Sequence, residues 1–269
     1  VTGVQTCALP ISSGSGNTAF GGLSLYSLTT GTDNSSFGYT SMYNIRTGSS
    51  NTAFGSTSLG YGFSGNSQNT AVGAISLQNL SGHSNTALGF ATGYYMSGAT
   101  SGATIVGALA GYDQSFTAGT NVTLLGYGAI PPTSGYNTNN YVVLGNSSVA
   151  TIYAAVNLTT LSDKRDKKNI ESLNVGMDFV EKLRPVTFEW NMRDGGKVGV
   201  KSSGFIAQEV SEIENLTGQK DYLNLVDTND PEKYLFTPGN LLPILVKAIQ
   251  DLSKEQKELE EILKGLENK

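Results

Sequence analysis

A five-residue pattern, Asn-Thr-Ala-apolar-Gly, recurs through the first half of the chain and restricts what that half can fold into. It occurs at residues 17–21, 51–55, 69–73 and 85–89, with a variant at 34–38. Weaker copies end at Gly107, Gly126 and Gly145, and successive terminal glycines lie 16 to 19 residues apart. This period is too short for a pair of helices, and glycine at such density is costly inside any helix.

Each repeat carries a second apolar stretch after its terminal glycine, opened by Ser24-Leu25, Ser41-Met42, Ser58-Leu59 or Ser76-Leu77. Two short strands closed by glycine turns predict one coil of a β-solenoid or trimeric β-roll. We expect stacking to bury the Ala, Phe and Leu positions and to align Asn and Thr side chains in ladders. One coil has little apolar area, so we expect the stack, and three chains together, to share one core.

Charge divides the chain at Ser162. Before that residue Arg46 is the only Lys or Arg, and Asp33 and Asp113 are the only carboxylates. The net charge of -5 argues against a nucleic-acid-binding face, which needs clustered Lys and Arg. No apolar run approaches the ~18 residues of a membrane-spanning helix. We therefore expect neither nucleic-acid binding nor membrane insertion.

These patterns divide the chain into five segments. Residues 1–11, VTGVQTCALPI, look like a translated sequencing adapter, which would place Cys7, the only cysteine, outside the natural protein. Residues 12–148 form the β-rich repeat region, with a Pro- and Gly-rich loop at 129–140, and 149–161 form a connecting strand. Residues 162–238 form a small α+β domain, and 239–269 a C-terminal helix.

Catalytic or metal-binding chemistry is not expected in the repeats. A glycosidase needs two facing carboxylates, whereas Asp33 and Asp113 lie some 80 positions apart and no Glu precedes Ser162. His83, the only histidine, has no neighbouring acid or Cys and is expected on a surface turn. We expect no glycosidase activity, no metal and no cofactor. Several tyrosines either stack on sugars or pack the solenoid, and both interpretations stay open: Tyr94, Tyr95 and Tyr112.

The junction at residues 162–170, SDKRDKKNI, places Ser162 five residues before Lys167. A serine hydroxyl is a poor nucleophile at neutral pH, and a lysine can be its base when burial populates the neutral amine. On spacing and composition alone, a solvated charged loop between two domains is the commoner explanation.

Three motifs occur in order at compact spacing: SDKRDKKNI at 162–170, LRPVTFEWN at 183–191 and GFIAQEV at 204–210. Together they resemble the endosialidase-type intramolecular chaperone domain at the C-terminus of phage tail spikes and tail fibres, over about residues 160–269. The resemblance implies a domain that helps the upstream chain to trimerise and then releases itself by autoproteolysis with a Ser/Lys dyad, although some family members do not cleave. The repeats are similar, more weakly, to head repeats of trimeric adhesins and phage fibres.

Carried onto this sequence, the resemblance implies that Ser162 is the nucleophile, Lys167 the general base and Leu161–Ser162 the bond cut. The oxyanion would need donors, and backbone N–H groups or Arg165 are the nearest candidates. Either of two carboxylates is a candidate for orienting the lysine, and the sequence does not choose between them: Asp163 and Asp166.

Within the C-terminal half, apolar spacing predicts a helix at 175–183, stopped by Pro185. Residues 186–190 and 203–207 are predicted strands flanking a turn at 194–196, with a helix through 213 and Trp190 in the core. Upstream, 141–145 and 150–158 alternate as strands. The last helix, 239–269, has two apolar positions in each seven-residue repeat. The first is occupied by Leu245, Leu252, Leu259 and Leu266. The second is occupied by Leu241, Ala248 and Ile262, with Glu255 as a misfit.

This helix favours a three-helix bundle, given the resemblance, and the alternative is one amphipathic helix packed on its own domain. We therefore interpret the chain as the C-terminal part of a homotrimeric phage tail fibre or tail-spike-like protein in the virion. A host cell-surface glycan or protein receptor is its expected partner. The alternative is a bacterial trimeric surface adhesin that retains the domain as a trimerisation cap. A self-cleaving transcription factor does not fit the nearly uncharged upstream segment.

Overall fold

The computed structural model describes residues 13–62, 65–96, 100–113, 119–131 and 139–267. The chain divides into two compact units, Val1–Ala150 and Thr151–Lys269. The adapter-like segment with Cys7 lies outside the described residues, as does most of the predicted loop at 129–140. No helix among the described ranges is both long and apolar enough to cross a bilayer.

The first unit is a parallel β-solenoid, as the repeats predict. Its eight short strands are β1 Thr18–Phe20, β2 Ser35–Phe37, β3 Thr52–Phe54, β4 Thr70–Val72, β5 Thr86–Leu88, β6 Thr104–Val106, β7 Val122–Leu125 and β8 Tyr141–Leu144. They pair in chain order and in parallel, so every coil lies on the one before it. Equivalent residues of successive repeats therefore stack in columns along the solenoid axis.

The second stretch of each coil is not a strand, which corrects the prediction of two strands per repeat. Leu25, Met42, Leu59 and Leu77 all have left-handed backbone, with φ between 48° and 52°. A residue in that region breaks the pleat of a strand. The turns nevertheless stack between coils, since the Leu25 N–H donates to the Ser41 carbonyl at 3.1 Å.

The core of the solenoid closes within one chain. Ala53, Ala71 and Ala87 point inward from consecutive strands and meet apolar side chains of the turns, such as Leu59 and Leu77. Every one of these five side chains is at most 1% exposed. The expectation that three chains share this core is therefore wrong, because each coil encloses its own apolar side chains.

The apolar residue that follows the alanine points outward, although we expected it to be buried. Phe20 is 58% exposed and Phe54 is 60% exposed. Successive side chains of a strand point to opposite faces, so an inward Ala53 forces Thr52 and Phe54 outward. The solenoid therefore shows a continuous column of apolar side chains on its outer face.

The predicted asparagine ladder is present and buried. The Asn51 side-chain amide donates to Oδ1 of Asn34 at 2.9 Å, and Asn69 donates to Asn51 at 3.2 Å. The backbone N–H of each asparagine also donates to the Oδ1 below it, at 3.0 Å for Asn51. Asn17 and Asn85 continue the column at its two ends. The ladder satisfies polar groups that no water reaches.

The glycine that closes each strand is required by its conformation. Gly55 has φ +140°, and a Cβ on it would lie 2.5 Å from the carbonyl oxygen of Gly73 in the next coil. Coils at strand spacing leave no room for a side chain there.

Residues 149–161 were predicted as a connecting strand, and the structure shows none there. Their side chains are exposed, with Leu158 at 96% and Leu161 at 100%. The alternation of the sequence is real, but no strand among the described residues hydrogen-bonds to this backbone, and an unpaired segment forms no sheet.

The second unit is a small α+β fold with a long C-terminal helix, as predicted. Its elements are a 3-10 helix at Lys164–Asp166, α1 Met177–Val180, β9 Val186–Asn191, β10 Val198–Gly204, α2 Ala207–Leu216, α3 Lys220–Leu223, β11 Val226–Asp227, β12 Leu235–Phe236, a 3-10 helix at Pro238–Asn240 and α4 Leu241–Glu267. β9 and β10 form the expected hairpin, although β10 starts earlier than predicted. The predicted helix at 175–183 is a single turn.

The core of this unit joins α1, α2 and the first turns of α4. Phe179, Val210, Leu225 and Ile244 are at most 3% exposed and pack in one cluster. Trp190 was expected in this core but is 38% exposed. It lies on β9, with the Phe188 ring 5.1 Å away and the Lys197 Nζ 5.9 Å from the centre of its ring.

Candidate functional site

Ser162 and Lys167 lie together at the start of the charged half. The Lys167 Nζ donates to the Ser162 Oγ at 2.5 Å and approaches the Ser162 carbonyl oxygen at 3.4 Å. The 3-10 helix at Lys164–Asp166 produces this approach, since it turns the chain between the two residues. The contact is therefore local and needs no other part of the fold.

Asp163 caps this 3-10 helix and holds Arg165. Its Oδ1 accepts from the Arg165 backbone N–H at 2.8 Å, and its Oδ2 accepts from the guanidinium at 2.6 Å. These hydrogen bonds keep the pKa of Asp163 below its ordinary value and raise the pKa of Arg165. Asp163 is thus engaged with Arg165, and no hydrogen bond joins Asp166 to Lys167 among the described residues.

The surroundings of the pair are open in a single chain. Every side chain from Thr151 to Ser172 is exposed. Several are apolar, including Tyr153 at 94% and Val156 at 78%. Apolar residues at this density are unusual on a free surface. In this single chain no apolar side chain of the segment is buried.

The second and third motifs meet in space. β9 opens the hairpin that closes at Gly204, so Val186 pairs with Gly204. Just outside it, the Arg184 guanidinium donates to the Glu209 carboxylate through two hydrogen bonds. This contact lowers the pKa of Glu209 and raises the pKa of Arg184. The second and third motifs therefore contribute to the fold of the domain, and both are separated in sequence from Ser162.

Sequence reasoning missed the buried carboxylate of Glu214. It is 0% exposed, and its Oε1 accepts from the Leu225 backbone N–H at 2.7 Å. This bond joins α2 to Leu225, the residue before β11. Nothing in the run Glu212 to Asn215 distinguishes Glu214 from a solvated helix residue, because its burial depends on the loop that follows.

The long helix α4 has two different apolar faces. Leu241, Ile244 and Ala248 are at most 5% exposed and pack on the domain. The predicted leucine repeat lies elsewhere on the helix, and its members are exposed by 40 to 63%: Leu245, Leu252, Leu259 and Leu266. We call these four side chains the leucine stripe. The domain leaves the stripe without a partner within one chain.

The repeat region brings no carboxylates together. Asp33 precedes β2 and Asp113 follows β6, four strand steps away. At ~4.8 Å per step they are separated by roughly 19 Å along the axis, beyond the spacing of glycosidase carboxylates. His83 is exposed, and its Nδ1 accepts from the Ser67 N–H at 3.2 Å. The described residues contain no cluster that could hold a metal.

The tyrosines of the repeats contact one another. Tyr94 and Tyr95 are T-shaped at 4.5 Å, and both rings lie within 5.4 Å of Tyr112. The hydrogen bond with Tyr95 raises the pKa of Tyr112. Earlier in the chain Tyr26 stacks on Tyr43 at 5.1 Å with an interplanar angle of 4°. These rings pack between coils and keep part of their surface in solvent.

Comparison with known proteins found one family match, within the charged half. Residues 162–218 match the family model described as chaperone of endosialidase, a family whose name also classes it as a peptidase. The chain matched no curated protein and no solved structure. The match starts at Ser162 and includes all three motifs. The second unit of this chain therefore carries an endosialidase chaperone domain.

Proposed function

We propose that this chain is the C-terminal part of a homotrimeric tail fibre or tail-spike-like protein. Its second unit promotes trimeric folding and then releases itself by cutting the Leu161–Ser162 bond. The repeats form the shaft or head, located on the phage tail, and meet a host cell-surface glycan or protein receptor. The observation that carries the cleavage is the 2.5 Å contact between Lys167 Nζ and Ser162 Oγ. That the family match begins at Ser162 supports the same bond.

The chemistry is intramolecular. The neutral amine of Lys167 takes the proton of Ser162 as Oγ attacks the carbonyl carbon of Leu161. The tetrahedral intermediate collapses as the Ser162 nitrogen leaves and receives that proton, so the acyl group moves from nitrogen to oxygen. Water then hydrolyses the ester. The products are a carboxylate on Leu161 and a free amine and hydroxyl on Ser162.

Assembly supplies the missing environment. In a single chain the Lys167 side chain is exposed, and a lysine can act as a base only as the neutral amine. Packing of three exposed junctions would remove water from Lys167 and populate the neutral amine. Arg165, held by Asp163, is then a donor close to the developing oxyanion. Cleavage would therefore report that the trimer has formed.

The experiment is a set of three single variants of the full chain. Ser162→Ala and Lys167→Ala should each yield an intact chain that still trimerises. Lys164→Ala, a matched removal of one lysine from the same 3-10 helix, should cleave like the wild type. Denaturing electrophoresis gives the cleaved fraction and light scattering gives the oligomer. Normal cleavage in Lys167→Ala, or an uncut wild-type trimer, would refute the dyad, and the uncut trimer would favour the retained cap of an adhesin.

A further inference from the structure

The outer face of the solenoid carries an apolar column that the proposed function does not explain. One residue from each strand, the one after the inward side chain, forms it: Phe20, Phe37, Phe54, Val72, Leu88, Val106, Leu125 and Leu144. We call this set the apolar column. No member is polar, and strand pairing holds all eight in register. The column spans seven strand steps, roughly 34 Å at the usual strand spacing.

Five of its eight members are exposed, and the other three, Phe37, Val72 and Val106, are half-buried. Phe54 is 60% exposed, while Leu88 and Leu144 are both 49% exposed. Taking about 200 Å² for a fully exposed large side chain, the column presents roughly 600 Å² of apolar surface. This equals or exceeds the largest apolar patch of a typical monomer, about 300–600 Å². It also approaches the ~800 Å² that each partner contributes to a stable interface.

More aromatic surface lies two residues further along the same coils. Tyr39, Phe90 and Tyr127 are exposed by 61%, 55% and 66%. Within the column itself, the Phe37 ring lies 5.8 Å from Phe54. Neighbouring rings therefore already support one another in the isolated chain, and little side-chain freedom is lost when a partner covers them.

We propose that three copies of this chain pack solenoid against solenoid through the apolar column. A parallel arrangement about a threefold axis brings the same residue of each copy to the same height, so an unbroken column is complementary to itself. The described part of the repeats has only Arg46, Asp33 and Asp113 as charged residues, and none belongs to the column. The copies can therefore meet without removing a charge from water.

The occupant is a second copy because of what autoproteolysis would remove. This step rests on the proposed function. Release of residues 162–269 takes the leucine stripe of α4 away with the chaperone unit. A fibre that remains trimeric after release needs a contact between copies within the residues left behind. Within the described residues of that part, the apolar column has the area and the register to provide it.

Cysteine cross-linking in the full chain tests the proposal. On a Cys7→Ser background, Phe54→Cys would place three thiols close to the threefold axis. Oxidation should convert up to two thirds of the chains to covalent dimers, because two of three thiols can pair. Tyr61→Cys is the matched control, since Tyr61 is 50% exposed but lies in the turn stretch of the same coil, outside the apolar column. We expect at least about tenfold less dimer from it.

Leu252→Cys, in the leucine stripe, separates this proposal from the proposed function. Cross-linking at Leu252 without cross-linking at Phe54 would overturn the column as an interface and leave the trimer standing. A chain that is monomeric by light scattering would overturn both. A Phe54→Asp, Leu88→Asp chain provides a second measurement. After cleavage its upstream fragment should have one third of the wild-type fragment's mass in solution, whereas retention of the trimer would contradict the proposal.

Discussion

At the scale of single residues, the asparagine ladder is the most demanding feature of the solenoid. Asn51 accepts from the Asn69 N–H and side chain, and it donates to Asn34 and to the Asn66 carbonyl at 2.8 Å. All of these groups are buried, so a lost partner cannot be replaced by bulk water. The ladder therefore fixes the register of the coils as well as their stability.

Asn51→Ala should lower the free energy of unfolding by about 2–4 kcal/mol, because it leaves buried donors and acceptors of Asn34, Asn66 and Asn69 without a hydrogen-bond partner. Thr52→Ala is the matched control, since the Thr52 side chain points to solvent in the same strand. It should change stability by less than about 0.5 kcal/mol. Urea unfolding followed by circular dichroism gives both values. Equal losses in the two variants would show that the ladder is not a main determinant of stability.

Asp251 has a different role, since it joins α4 to the start of α1. It accepts from the Met177 backbone N–H and pairs with Lys247. The hydrogen bond from Lys247 is the main reason that the pKa of Asp251 lies below its ordinary value of 3.8. A carboxyl with a lowered folded pKa stabilises the fold above its unfolded pKa, and this stabilisation is lost as the pH falls through the folded value.

Asp251→Asn should therefore lower the Tm of the second unit at neutral pH. The difference from wild type should shrink below about pH 4 and vanish in stronger acid, where both chains carry a neutral side chain. Glu258→Gln, which removes the exposed 3.7 Å pair with Lys254, is the control and should shift the Tm less. Calorimetry at several pH values measures both. A Tm difference that persists unchanged in acid would contradict this account.

At the scale of elements, α4 is longer than its own domain can support. From Leu252 to Glu267 every side chain of the helix is exposed. An isolated helical segment of this length is marginal in water, and the leucine stripe gives it an apolar seam for partner helices. The prediction that this seam leads to a three-helix bundle remains to be tested.

Leu252→Asp with Leu259→Asp should abolish the trimer, because six carboxylates in the seam would lose water at a cost of several kcal/mol. Gln250→Asp with Lys257→Asp adds acidic residues to the same helix outside the stripe and should leave the trimer intact. Light scattering at matched concentrations gives the mass of each. A soluble trimer in the leucine variant would show that α4 does not seed assembly.

The elements also show what the sequence could predict. The repeat period correctly predicted the stacked coils, and the recurring Asn correctly predicted the asparagine ladder. The prediction of a second strand in each coil was wrong, because Leu25 and Met42 adopt a left-handed backbone conformation that is rare for these residue types. The prediction that Phe54 is buried was wrong, because the alternation of side chains along a strand does not determine which of the two faces lies inside. The small Ala53 occupies the interior, where coils approach closely.

The candidate site depended on a different kind of information. Ser162 and Lys167 were identified by resemblance, and their contact follows from one local turn of the chain. Local geometry of this kind can be anticipated from sequence. The ion pair between Asp163 and Arg165 could not be predicted, because Asp163 has several basic neighbours in sequence and exposed ion pairs with each of them have similar energies. Burial of Glu214 likewise depends on the chain that follows its helix, up to Leu225.

At the scale of the whole molecule, the two units differ in charge and in the apolar surface that they expose. The solenoid has a closed core and almost no charge, while the chaperone unit has the charged junction and the helix that exposes its leucines. Each unit exposes a long apolar surface, namely the apolar column and the leucine stripe. In our proposal the helices bring three chains together, the solenoids keep them together, and cleavage at Ser162 separates the two stages.

Mass spectrometry of the purified wild-type chain tests this account most directly. Under denaturing conditions we expect two fragments, the smaller beginning at Ser162 and ending at Lys269. Their masses should add up to that of the intact chain plus one water. Native spectra should show three copies of the larger fragment together. A single intact mass from a chain that is trimeric in solution would contradict the account.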